Sequence, residues 1–269
     1  MSTRNIFARL SGIVLVLLAA AAMCEAQPAG GNGCSALPNH GTLKAALDKA
    51  TAEEKSGLNN HMWAAIVDRD GVVCVVAFSG SDRSAQWPGS RVIAAQKAST
   101  ANAFSLDSTS SSAGSGQASG LALSTANLYS AVQPGGSLFG LQFSNPVDTG
   151  AAYRGPYVSY GTPKDPLAGD RVGGVNVFGG GLGLYSAGKR LVGGIGVSGD
   201  TSCADHNIAW RVRSNLGLDH LSGVGGVSGD NARPDNIVFD IANGASKGGF
   251  GHPQCLNTGD AAMLPPVRD

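Results

Sequence analysis

The chain has 269 residues, 19 Lys and Arg against 19 Asp and Glu, only 14% charged residues and 40 glycines. A near-neutral chain without clustered cations excludes a nucleic-acid binder of the counterion-release kind. Its length suffices for one full core, and the glycine content points to a loop-rich domain whose backbones approach closely.

The N-terminus carries Arg4 and Arg9, an apolar run from Ile13 to Met23, and then Cys24-Glu25-Ala26. That order of charged, apolar and small residues predicts a signal peptide over 1–26, with 27–269 forming a single domain in the periplasm or outside the cell. No later segment holds an apolar run long enough to span a bilayer. Removal of Cys24 leaves Cys34, Cys74, Cys203 and Cys255, an even number suited to an oxidising compartment. Four cysteines allow three pairings, and spacing does not choose among them.

Gly41 to Leu58 predicts a helix, with Leu43, Ala46, Leu47 and Ala50 on one face and Gly57 as its stop. Met62–Asp68 and Gly71–Phe78 predict two strands joined through Asp70-Gly71 as a hairpin. Ser90 is the expected N-cap of a second helix running to Phe104. Ser105–Gly120, rich in Ser and Gly, reads as a flexible surface loop, and Leu121–Val132 as a short helix. Gln133–Asp170 reads as a long loop with Tyr153, Tyr157 and Tyr160. Three strands are expected next, at Val172–Phe178, Gly181–Ser186 and Lys189–Val197. A helix to about Leu216 follows, then a loop-like extension from about 218 with one apolar run, Ile237–Ile241. Hairpins without strand–helix alternation predict helices packed on an antiparallel sheet.

Leu191–Arg213, LVGGIGVSGDTSCADHNIAWRVR, concentrates the reactive side chains. Gly194-x-Gly196-x-x-Gly199 with Asp219 twenty residues on matches a dinucleotide fingerprint, but its glycines begin inside the strand and no parallel strand follows. Glycines there equally let a helix or a ligand approach the sheet. Ser198 lacks the second glycine of a hydrolase elbow. The GVSGD of 196–200 recurs at 226–230 without wider similarity, as a repeated turn. Asp205-His206 offers a metal or haem ligand or a polar cap, with no histidine at i+4 for a zinc pair. Arg91, Lys97 and Arg171 could meet ligand carboxylates or lie on solvated faces.

Four blocks together resemble the GlcG/HbpS-like haem-binding family: MWAAIVDRDGVVC (62–74), WPGSRVIAAQKASTANAFS (87–105), GGVNVFGGGLGLY (173–185) and LVGGIGVSGDTSCADHNIAW (191–210). The likeness runs in order from about Leu43 to Leu216. It implies a profilin-like α/β/α sandwich with a central antiparallel sheet, haem or a related tetrapyrrole as ligand, and homo-oligomers. It also implies the pairings Cys203–Cys255 and Cys34–Cys74. On that reading His206 or Tyr185 is the axial-ligand candidate, and Arg171 and Lys97 are the candidates for the propionates. Two other classes stay open: an enzyme acting on haem or on a small organic acid, and a ligand-free assembly module.

Overall fold

The computed structural model describes residues 33–107 and 120–269. The expected signal peptide and most of the Ser-rich loop lie outside the described residues.

Helix α1 (His40–Glu53) opens on Asn39, whose side chain accepts the backbone N–H of Thr42, and it buries Leu43, Ala46, Leu47 and Ala50 as the spacing requires. It ends five residues short of the expected Leu58. The Asp200 carboxylate, far along the chain, takes the N–H groups of Leu58 and Asn60 at 2.8 and 2.9 Å and draws this segment off the helix axis. Strands β1 (Trp63–Asp68) and β2 (Val73–Phe78) form the expected hairpin. The Asp68 carboxylate accepts the N–H groups of Asp70 and Val72 across the turn, and Gly71 supplies the left-handed φ of 77°. The register shift between Ile66 and Val67 leaves Cys74 as the extra residue of a bulge.

Helix α2 (Ser90–Phe104) follows, with Gly89 rather than Ser90 at its N-cap. Leu121–Val132 becomes a 3-10 turn (Thr125–Leu128) running into α3 (Tyr129–Val132). The long loop holds two single-turn helices, α4 (Leu141–Ser144) and α5 (Thr149–Ala152). Val172–Phe178 is not a strand. Gly173 and Gly174 both take left-handed φ (59° and 76°), which breaks the pleat, so the segment crosses α2 as extended coil. Strands β3 (Gly181–Ser186) and β4 (Arg190–Ser198) form the second hairpin, and α6 (Ser202–Asn215) leaves β4 directly. In the extension, the expected apolar run contributes only a two-residue ladder, β5 (Ile241–Ala242) with β6 (Ala245–Ser246).

The sheet order is β2-β1-β4-β3, antiparallel throughout. One face carries Ala64, Ile66, Val75, Ala77, Leu182, Leu184, Ile195 and Val197 against α1 and α6. The other carries Trp63, Ala65, Val67, Val73 and Val76 against α2. This is the expected α/β/α sandwich. The β4 glycines explain its closeness: a Cβ at Gly196 would lie 1.9 Å from the Ala94 carbonyl oxygen, and one at Gly194 2.3 Å from that of Ala98. The G-x-G pattern is the bed of α2, with no room for a pyrophosphate on that face.

Candidate functional site

Two polar regions flank the sheet, one sealed and one open. The sealed one is the turn from β4 into α6. Thr201 caps the helix by accepting the Ala204 N–H. One turn later the Asp205 carboxylate reaches back to accept the N–H groups of Gly199 and Asp200 at 3.1 and 2.9 Å. Its other oxygen meets Lys97 Nζ at 2.6 Å, and Lys97 also donates to the Val197 carbonyl at 3.0 Å. Burial pushes the Asp205 carboxyl up to about 6 and lowers the Lys97 ammonium. The short contact and the two backbone N–H groups hold the charged pair together at neutral pH.

His206 is fully buried, with Nε2 3.2 Å from Asn236 Oδ1, and burial pushes its pKa down to about 4, so it is neutral. Tyr185, equally buried, donates its hydroxyl between the Leu106 and Leu121 carbonyls at 3.2 and 3.3 Å, and desolvation raises its pKa. The extension forms the lid of this corner. Asn236 and Ile237 cover His206, Asp235 forms a buried two-bond pair with Arg213, and His252 Nε2 meets Ser202 Oγ at 2.8 Å. The Cys203–Cys255 disulfide ties the extension to α6, and Cys34–Cys74 ties the start of the described chain to the β2 bulge. Both pairings are those implied by the family resemblance.

Of the four ligand candidates, His206, Tyr185 and Lys97 therefore have no open face, and Lys97 holds the protein's own carboxylate. The same is true of Arg91, which forms a buried pair with Asp165 and stacks 3.7 Å from the centre of the Tyr160 ring. Arg171 alone is exposed, its Nε donating to the Asp70 carbonyl at 2.8 Å.

The open region is a cleft of about 680 Å³ beside β2, the terminal strand of the sheet. Its walls are Leu37 and Pro38 just before α1, His40 at the start of α1, the Cys34–Cys74 bridge, Val75 and Val76 of β2, and Thr162 and Pro163 of the Tyr-rich loop. The Arg91–Asp165 pair fixes that last wall, because Asp165 also accepts the Gly161 N–H at 2.6 Å. Gly161, with φ 73°, fits where a Cβ would strike Phe78 and Trp63.

His40 is the chemically active group of the cleft. Its Nε2 lies 2.8 Å from the Gly161 carbonyl oxygen, which can only accept, so Nε2 carries the proton. Nδ1 then presents a lone pair, with no hydrogen-bond partner among the described residues. A ring nitrogen oriented by a carbonyl on its far side is the usual arrangement of a metal-bound histidine. Sequence reading passed over His40 because nothing in its spacing marks it. Its position as the first residue of α1, after the Asn39 cap, is the one local signal, and only Gly161, 121 residues away, gives it an orientation.

His40 suits a metalloporphyrin, since imidazole is a common haem-iron donor and the volume lies within the range of small-ligand sites; of the apolar lining Pro163 is exposed, whereas Leu37, Val75 and Val76 are buried. Among the described residues the lining includes no lysine or arginine, and Arg171 lies three residues beyond Ala168 on the segment bordering β2.

A family model described as haem degrading protein HbpS-like matches residues 41–213, well over half of the chain. The protein belongs to the HbpS-like family. No curated protein matches it. Among solved structures it is similar to the Klebsiella pneumoniae protein ORFY, of the DUF336 family (23% identity, 66% of this chain and 90% of that one, TM-score 0.40). It is also similar to PduOC, solved as a complex with heme (22% identity, 66% and 91%, TM-score 0.42). A third is a double mutant of Streptomyces reticuli HbpS (19% identity, 66% and 84%, TM-score 0.39). No helix among the described residues is long and apolar enough to cross a membrane.

Proposed function

We propose that this is an exported haem-binding protein, serving haem uptake, storage or sensing, and that the haem occupies the cleft beside β2 with His40 as its iron ligand. The observation that carries the reading is the oriented imidazole in the lining of the cleft: Nε2 held by Gly161, and Nδ1 without a partner among the described residues. Membership of the HbpS-like family supports haem as the ligand. Two disulfides and the apolar N-terminal run support export to an oxidising compartment. Arg171 is the exposed cation for the propionates. A haem bound through His206 or Tyr185 instead would require the extension or the Leu106–Leu121 bridge to move aside.

The test is a difference-absorption titration of the mature chain with haemin. His40→Ala is expected to weaken binding at least tenfold and shift the Soret band, while His206→Ala and Tyr185→Phe leave the band position unchanged. A Soret band indifferent to His40→Ala but altered in His206→Ala or Tyr185→Phe moves the site to the sealed corner. Absence of any haemin complex with a stable oligomer in solution favours the assembly-module reading. Conversion of bound haemin to a bile-pigment spectrum on adding reductant and oxygen favours the enzyme.

A further inference from the structure

The disulfide that ties the extension to α6 has a third donor beside it. Cys203 Sγ, Cys255 Sγ and a ring nitrogen of His252 all lie within 4.8 Å of one another. Cys203 and His252 are almost fully buried and Cys255 is half-buried, so the cluster is reached from the Cys255 side. The His252 ring is already oriented. Its Nδ1 lies 2.6 Å from the Pro253 carbonyl oxygen and donates to it, while Nε2 accepts the Ser202 hydroxyl proton at 2.8 Å, a bond that an ion at Nε2 would replace. Cys255 Sγ accepts the N–H of Cys203, in the first turn of α6, at 3.1 Å. An N–H at a helix start, which has no acceptor within the helix, stabilises a thiolate at that sulfur once the disulfide opens.

We propose that reduction of Cys203–Cys255 converts this staple into a binding site for a thiophilic dication such as Zn²⁺, with Cys203, Cys255 and His252 as its protein ligands. A dithiol reductant breaks the Sγ–Sγ bond, delivers two electrons and two protons, and leaves as its own disulfide. When the ion binds, the two thiols release those protons to solvent. Two thiolates and a neutral imidazole then balance the dication, and the fourth position falls to water or the Ser202 hydroxyl. The ion would hold the extension to α6 where the disulfide did, so the lid over the sealed corner would stay closed in both redox states. The site is separate from the haem cleft and stands or falls without it.

The test uses haem-free protein reduced with a phosphine, desalted under nitrogen and titrated with Co²⁺, whose thiolate charge-transfer absorption reports the ligands. The reduced wild type is expected to bind one more equivalent of Co²⁺ than a Cys203→Ser/Cys255→Ser chain, to release it to Zn²⁺, and to bind none there when oxidised. The subtraction removes any binding at Cys34, Asp68 and Cys74, the other such cluster among the described residues. His252→Ala keeps both thiols and is expected to weaken Co²⁺ at least tenfold, which covers the case of a serine variant that does not fold. Equal Co²⁺ uptake by the wild type and the serine variant overturns the proposal. So does a His252→Ala affinity equal to wild type, or a reduced wild type that binds no Co²⁺ by absorption, whether folded or unfolded by circular dichroism.

Discussion

The corner where β4 turns into α6 and the cleft beside β2 lie at different places around one sheet, and they use polar residues in opposite ways. The corner holds Lys97, Asp205, His206, Ser202 and Arg213, each bonded to another group of the protein, with His206 Nδ1 and Arg213 Nε as its two buried atoms without a partner. The cleft holds few reactive groups, but one of them, His40, keeps a lone pair without a partner among the described residues. Density of reactive side chains in the sequence thus marks a region that must be internally satisfied, because a buried polar group without a partner costs about 1–3 kcal/mol. Availability of a lone pair is a different property, and it is the one a ligand needs.

If the corner is structural, its ion pair should matter to stability more than to binding. Lys97→Met leaves the Asp205 carboxylate buried without its cation and is expected to cost about 3–5 kcal/mol, read by urea unfolding. Adding Asp205→Asn should recover part of that loss, since the backbone N–H groups of Gly199 and Asp200 keep an acceptor. A Lys97→Met chain of wild-type stability with impaired haemin binding would turn the corner into the ligand site. The bed of α2 comes next. Gly196→Ala forces a methyl group against the Ala94 carbonyl and is expected to cost about 1–3 kcal/mol by the same measurement.

A finer separation comes from pH. His206 is held neutral, with its pKa at about 4 in the fold against an ordinary 6.5, so the unfolded chain binds the extra proton between those values. Its contribution to stability is present above pH 6.5 and is lost as pH falls toward 4. Asp205 works the other way, since its pKa is raised from 3.8 to about 6 and its contribution fades as pH rises through that range. The stability difference between wild type and His206→Gln should therefore grow as pH rises from 4 to 6.5, as followed by urea unfolding at several pH values. A constant difference would mean that His206 is solvated. The smallest effect belongs to the rim of the cleft: Arg171→Gln should weaken haemin about two- to fivefold at low ionic strength, and the deficit should vanish in high salt.

Much of the architecture was legible locally. The Asp70-Gly71 hairpin, the apolar face of α1 and the span of α2 follow from turn chemistry and 3.6-residue spacing, and they appear where expected. Val172–Phe178 misled because its apolar alternation is that of a strand, while Gly173 and Gly174 take conformations no ladder accepts. The end of α1 misled because Asp200 draws in Leu58 and Asn60 from another part of the chain. For the site, Lys97 and His206 were recognisable as chemically capable, whereas their occupation by Asp205 and Asn236 was not.

By itself the sequence determined the class of fold, the positions of both hairpins and the chemical repertoire, because backbone propensity and hydrophobic period act over a few residues. The resemblance between motifs supplied the cysteine pairing. Only the tertiary structure decided which polar groups are used up and which stay free. His40 acquires its tautomer from Gly161, and His206 loses its access to Asn236 and Ile237, through contacts between residues far apart in the chain. Burial and hydrogen-bond satisfaction are properties of the packed whole, and no local pattern carries them.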